Sequence, residues 1–198
     1  IIKAIRSKKN SSMRLGINAV KNKDAGACVS AGNTGALMAL SKIILKMIPG
    51  IDRPAICGSL PTKTGQCYIL DLGANVECDA NHLYQFSILG SALVQSLEIN
   101  AKPVIGLLNV GSEEFKGNDT IKNAGQLMQE SKLNYAGFVE GDEMFNGSFD
   151  VIVSDGFAGN IALKSIEGVA KLISHFIKTE FSKSIFTKLA ALISYPVM

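Results

Sequence analysis

The chain contains no tryptophan, and only two of its 198 residues are histidine. Its four cysteines, Cys28, Cys57, Cys67 and Cys78, form no CxxC pair. So thin a supply of nitrogen and sulfur ligands argues against a zinc site. Cys28, Cys57 and Cys67 sit in apolar runs, where cysteine behaves as a small hydrophobe. That usage fits a reducing, cytoplasmic compartment. No stretch approaches the roughly 18 apolar residues of a membrane-spanning helix, and no secretory signal opens the chain. A strong net charge is also missing. The formal balance is +3, too small to argue for a nucleic-acid partner.

What is present is a sizeable apolar content and an uneven charge. Hydrophobic residues make up 47% and charged residues 19%, enough to bury a core and incompatible with disorder. Residues 1–23 carry seven Lys or Arg and no acid, and residues 171–198 carry four Lys and one Glu. The middle, 24–170, holds nine basic and sixteen acidic residues. Both ends are therefore basic and the body acidic. The chain opens on Ile1 and stops at Met198 within an apolar helical pattern. It reads as one α/β domain over 1–198, incomplete at both termini, with 171–198 as an amphipathic helical segment.

Periodicity and punctuation predict a helix over 11–22, capped by Ser11 or Ser12. A short buried strand is expected at 25–31 (AGACVSA), then a Gly-rich turn and a helix over 36–48. Strands follow at 54–60 and 66–72. Only 61–65 separates them, too short for a helical crossover, so they should pair antiparallel. A helix over 79–98, a strand at 103–110, a helix over 120–131 and strands at 135–139 and 149–154 come next. A helix over 160–180 and further helix over 183–195 complete the pattern. Strands alternating with helices, several of them continuously apolar, predict a mostly parallel sheet with helices on both faces. In such folds ligands bind beyond the C-terminal ends of the strands.

The loops at those ends are the informative ones. Gly32-Asn33-Thr34-Gly35 precedes a helix, so its glycines let a ligand approach the backbone and its N–H groups face outward. An ordinary capped turn, with Asn33 or Thr34 as the cap, reads equally well from this segment alone. Asp71-Leu72-Gly73-Ala74-Asn75 follows the third strand. Residues 109–118 (NVGSEEFKGN) follow the next, placing Lys116 in a Gly-flanked loop where a point charge suits phosphate. Ser154-Asp155-Gly156-Phe157-Ala158-Gly159-Asn160 follows the last strand, with capping by Asp155 or Asn160 as the plain alternative. Several Gly/Asn/Asp loops at one sheet edge together suggest an anion site, most simply phosphate. Other templates fail: there is no GxGxxG, no P-loop and no GxSxG elbow. No Cys or Ser has an evident base partner for covalent catalysis.

These motifs in this order resemble the bacterial phosphate acyltransferase (PlsX) family of phospholipid synthesis. The matching segments are VSAGNTGALMAL at 29–40, LPTKTG at 60–65, LDLGAN at 70–75, LLNVGSEEFKG at 107–117 and SDGFAGNIALKSIEG at 154–168. No single segment is distinctive, whereas the ordered set is. The resemblance implies an α/β fold like that of phosphotransacetylases and isocitrate/isopropylmalate dehydrogenases, working as a homodimer. It implies transfer of a long-chain acyl group from acyl carrier protein to inorganic phosphate, with no cofactor or metal. The product would feed a membrane glycerol-3-phosphate acyltransferase, with the enzyme cytoplasmic and peripherally membrane-associated. By motif, Lys116 and Asn160 are its catalytic residues. Gly32, Asn33, Thr34, Gly35, Asp71, Asn75, Asp155, Gly156 and Gly159 line its substrate and phosphate site. A phosphotransacetylase acting on CoA thioesters is the rival enzyme. A non-catalytic module docking to a membrane or carrier protein is the rival of a different class.

Overall fold

The structure, a computed structural model, describes residues 9–194. The chain divides into two compact units, with the boundary between Gly159 and Asn160.

The first unit is built on five strands: β1 (Cys57–Thr62), β2 (Gly65–Leu70), β3 (Ile105–Leu108), β4 (Tyr135–Val139) and β5 (Val151–Val153). They lie in the order β1-β2-β5-β3-β4. β1 and β2 pair antiparallel, from Cys57 opposite Leu70 to Thr62 opposite Gly65. The hairpin anticipated from the short spacer is therefore present, closed by Lys63 and Thr64 alone. Relative to the expected 54–60 and 66–72, β1 starts three residues later and runs two further, while β2 starts one residue sooner and stops two short. Pro61, which cannot donate a ladder hydrogen bond, is tolerated because β1 is an edge strand. The remaining pairs, β2–β5, β5–β3 and β3–β4, are all parallel.

Helix α1 (Ser12–Lys21) is capped by Ser11, whose side chain accepts from Arg14 N. Helix α2 (Thr34–Leu45) is capped by Asn33. The two pack through Ile17, Leu40 and Ile44. Helix α3 (Ala80–Ser96) opens with a capping box between Asp79 and His82, and helix α4 (Asp119–Gln129) is capped by Asn118. Residues at i, i+3 and i+4 spacing turn one stripe of each inward: Leu83, Phe86 and Val94 on α3, Ile121, Ala124 and Met128 on α4. They meet Leu70, Ile105, Leu107, Val151 and Val153 from the strands in one cluster. The opposite strand face, with Cys67, Ile69 and Ile152, is buried as well, as a sheet covered on both sides requires.

One expected element does not form. Residues 25–31 carry no strand, and Val29 is 99% exposed. A strand exists only as a paired state, and no member of the five-stranded sheet lies beside this segment. Its Ala/Gly-rich composition supplies no side chains to hold an extended conformation without that pairing.

Helix α5 (Gly156–Ser182) begins in the first unit and runs on through the second. Beyond Gly159 none of its described residues is buried. Val169, Leu172, Ile173, Phe176 and Ile177 are all exposed. Helix α6 (Ile185–Ser194) starts where Ser184 and Thr187 cap each other reciprocally, Thr187 N donating to Ser184 Oγ and Ser184 N to Thr187 Oγ1. It too has no buried residue. Among the described residues no helix is long and apolar enough to cross a membrane.

Candidate active site at the strand ends

β2, β5, β3 and β4 run parallel, so their C-terminal ends leave the sheet at one edge. The loops singled out above are those that follow these ends.

The loop after β2 is organised by Asp71, which is completely buried. Its Oδ1 accepts from the backbone N–H of Ile56 (2.9 Å), Gly73 (3.2 Å) and Ala74 (3.0 Å). Its Oδ2 accepts from the Asn75 backbone N–H (2.7 Å) and from Asn75 Nδ2 (2.8 Å). A carboxylate can be buried only when its lone pairs are met, and here five donors meet them. Asn75 Nδ2 also donates to Pro54 O, tying the lead into β1 to the same loop.

The loop after β5 closes against this one. Asp71 N donates to Ser154 O (2.9 Å), Ser154 Oγ to Asp71 O (3.2 Å) and Gly156 N to Asn75 O (2.8 Å). A Cβ on Gly159 would collide with the Asp71 carbonyl, and one on Gly156 with the Asn75 backbone. Glycine is required at both positions because the first turn of α5 lies directly on loop 71–75. Asp155 Oδ1 accepts from Ala158 N (2.7 Å), so this carboxylate caps α5. Asn160, which follows Gly159, is exposed and is the first residue of the second unit.

The loop after β3 is held by Asn109, whose Nδ2 donates to the carbonyls of Gly111 (3.0 Å) and Lys116 (3.2 Å). Gly117 completes the turn with φ +89, a conformation that favours glycine. Lys116 Nζ lies 2.8 Å from Glu113 Oε2. That hydrogen bond raises the lysine pKa and lowers the glutamate pKa from their ordinary values. Both side chains stay solvent-accessible, so the pair is screened and readily exchanged for another anion.

In the turn before α2, Ser30 Oγ accepts from Gly32 N (3.2 Å) and Asn33 Oδ1 from Ala36 N (3.0 Å). Thr34 and Gly35 line a cleft of about 350 Å³ together with Gly73, Ala74 and Asn75. Two of the loops expected at the site are thus brought to one cavity. Asp71, Asp155, Gly156 and Gly159 form the framework beside it, and Lys116 occupies its own loop. The cleft also exposes residues not singled out from the sequence: Lys42, two helical turns after Thr34 on the same face of α2, and Arg53, just ahead of β1. The i, i+4, i+8 spacing of Thr34, Met38 and Lys42 was the available signal for the lysine; Arg53 had none. A larger cavity of about 730 Å³ lies at α4 and β4, lined by residues including Glu114, Lys122 and Glu130. None of the expected site residues reaches it.

Cys78 Sγ contacts Asn75 O at 3.4 Å. Burial, reinforced by the charge of Asp71, pushes this thiol up to about 11, which leaves it a protonated packing group. Among the described residues no cluster of three or more His, Cys, Asp or Glu is placed to hold a metal ion.

Fold and site together define an α/β protein whose parallel strands end in Gly-, Asn- and Asp-rich loops flanked by basic side chains. The same fold occurs in the EutD phosphotransacetylase from Staphylococcus aureus (TM-score 0.61, 20% identity, covering 80% of this chain and 56% of that one). It occurs also in a phosphotransacetylase from Streptococcus pyogenes (TM-score 0.63, 18% identity, 80% and 55%). At such identities the likeness is one of fold alone. A family model described as "Fatty acid synthesis protein" matches residues 1–198, and the chain belongs to that family, the one its ordered motifs resemble. It is 59% identical over 196 residues to a phosphate acyltransferase from Methylococcus capsulatus, covering 99% of this chain and 58% of that protein. A phosphate acyltransferase from Alkalilimnicola ehrlichii is 55% identical over 195 residues, with 98% and 57% covered. The chain therefore spans a little over half the length of these relatives.

Proposed function

We propose that the protein carrying this chain transfers a long-chain acyl group from acyl carrier protein to inorganic phosphate, releasing acyl phosphate for phospholipid synthesis. The observation that carries this reading is the match of the whole chain to the family, with Lys116 and Asn160 in their motifs. A phosphate oxygen attacks the thioester carbonyl, forming the new C–O bond. The resulting tetrahedral oxyanion collapses, the C–S bond breaks, and the carrier thiolate leaves. Thiolate is a good leaving group, so no covalent enzyme intermediate is needed and no cofactor enters the balance.

In this reading Lys116 exchanges Glu113 for the incoming phosphate. The Asn160 amide donates to the developing oxyanion, a role whose loss typically costs 10²–10³-fold in kcat. Gly32, Asn33, Thr34 and Gly35 form one wall. Asp71, met by five of the chain's own donors, and Asp155, which caps α5, act as scaffold rather than as ligands. They fix Asn75 at the lining of the cleft and seat Gly156 and Gly159 against the backbone of loop 71–75. Much of the remaining rate comes from positioning.

The enzyme works as a homodimer at the cytoplasmic membrane surface and hands its product to a glycerol-3-phosphate acyltransferase. The exposed apolar stripe of α6 beside Lys183 and Lys188 supports the membrane contact. The decisive experiment is an acyl-phosphate formation assay on the full-length protein, comparing acyl-ACP with acetyl-CoA. Turnover confined to acyl-ACP is expected, and Asn160→Ala should lower kcat far more than it raises KM for phosphate. Preference for acetyl-CoA would make it a phosphotransacetylase, and no turnover with either would leave a docking module.

A further inference from the structure

The cleft at loop 73–75 has a charge pattern that the motif residues do not account for. Its lining contains two cations, Lys42 and Arg53, and no acid. The larger cavity at α4 and β4, by contrast, mixes Lys122 with Glu114 and Glu130. The nearest carboxylate in sequence, Asp52, is engaged elsewhere: Gln85 Nε2 donates to its Oδ2 (2.6 Å), while Gln85 Oε1 accepts from Asp52 N (2.8 Å). Lys42 Nζ donates instead to the Asp52 backbone carbonyl (2.9 Å), and Arg53 Nη1 to the Glu77 carbonyl (3.2 Å). One neutral acceptor thus orients each cation. Ammonium has three donors and guanidinium five, so several remain for a ligand.

The two cations are also held in fixed relation to the loop. Asp71 accepts from Ile56 N and Asn75 Nδ2 donates to Pro54 O, which pins the segment after Arg53 to loop 73–75. Across the cleft, Thr34 and Gly35 are the first two residues of α2. The Asn33 side chain and carbonyl take the N–H groups of Ala36 and Leu37, so those of Thr34 and Gly35 have no acceptor within the helix. The space is far larger than one oxyanion. It holds about a dozen water volumes, and Met38, Ala39 and Ile56 make part of its lining apolar.

We propose that this cleft is a phosphate-group subsite, with Lys42 and Arg53 as its cations and the first turn of α2 as its backbone donor. The assignment rests on the reaction proposed above for its substrates. That reaction offers two phosphate sources: inorganic phosphate, and the phosphodiester that joins the carrier protein to its thioester-bearing arm. The apolar lining suits a phosphate with a chain attached.

The test uses the full-length protein with Lys42→Gln, Arg53→Gln and their combination, and the charge-preserving Lys42→Arg and Arg53→Lys. Loss of a charge-assisted contact should raise one KM by about tenfold or more, with kcat nearly unchanged and recovery in the charge-preserving variants. A rise in KM for acyl-ACP identifies the arm phosphodiester, and a rise in KM for phosphate identifies the free anion. Titration calorimetry with phosphopantetheine, with pantetheine lacking the phosphate, and with inorganic phosphate gives a second readout that needs no turnover. At least one phosphate-bearing probe should bind the wild type and fail to bind the double variant. Unchanged KM values together with equal probe binding would overturn the subsite. If no acyl phosphate forms at all while probe binding still depends on Lys42 and Arg53, the reaction falls and the subsite stands.

Discussion

Asp71 illustrates how one side chain can read differently in sequence and in space. In a Gly/Asn-rich loop after an apolar strand it looks like part of an anion site, and it is one: the anion is the aspartate's own carboxylate. Asp71→Ala would leave its donors without an acceptor in a buried place. The expected loss is at least about 3 kcal/mol, read as a lower denaturant midpoint. Asn160→Ala, by comparison, touches an exposed residue and should leave that midpoint within about 0.5 kcal/mol. Cys67 makes a prediction in the alkaline range. Burial and the neighbouring Asp150 charge push its thiol from an ordinary 9.0 up to about 12. Because the folded value is the higher one, the neutral thiol contributes stability that is fully present below pH 9 and lost as pH rises from 9 toward 12. Denaturation midpoints between pH 8 and 11 should fall, and fall less steeply in Cys67→Ala. Lys42 and Arg53 mark the limit of what residue types disclose. Nothing in their local sequence separates them from solvated cations, because Gln85, 33 residues from Asp52, is what turns the competing carboxylate away.

Among the elements, those defined by local rules were legible. The helices stand within a few residues of their expected ends because caps and apolar periodicity are short-range signals: Ser11, Asn33, Asp79 and Asn118 each cap the helix that follows them. The hairpin was legible from chain length alone. The strand expected at 25–31 was not a local matter, since apolar residues state a preference for burial but do not supply a partner. Asn33 tests whether its turn serves structure, chemistry or both. Asn33→Ala should cost about 1 kcal/mol through the lost cap, whereas Asn33→Asp keeps the cap and should restore stability. If Asn33→Asp restores the melting temperature but not turnover, the side chain meets substrate as well. Recovery of both would confine it to capping.

At the scale of the whole molecule, the first unit has a core of its own and the described part of the second does not. Ile185, Phe186, Leu189, Leu192 and Ile193 are each at least half exposed. An apolar stripe of this kind calls for a cover, and with the adjacent lysines we propose an anionic bilayer as that cover. Reversible binding to anionic vesicles is expected, weakened by salt. In co-sedimentation, Leu189→Glu with Ile193→Glu should abolish it while leaving acyl-phosphate formation in solution intact. Undiminished sedimentation of that variant would show that this segment is not the anchor. Composition showed the stripe and its charge; what covers it is a property of the assembly, which one chain's pattern does not encode.

The five donors gathered on Asp71 have a consequence for how this edge of the sheet breathes. The amides of Ile56, Gly73, Ala74 and Asn75 come from two separate stretches of chain, yet none can reach water while the carboxylate holds it. They should open as one event, so their native-state deuterium exchange should follow a single free energy and a single denaturant slope. Exchange of Ile56 tens-fold faster than that of Gly73–Asn75 would show that the clasp opens one side at a time.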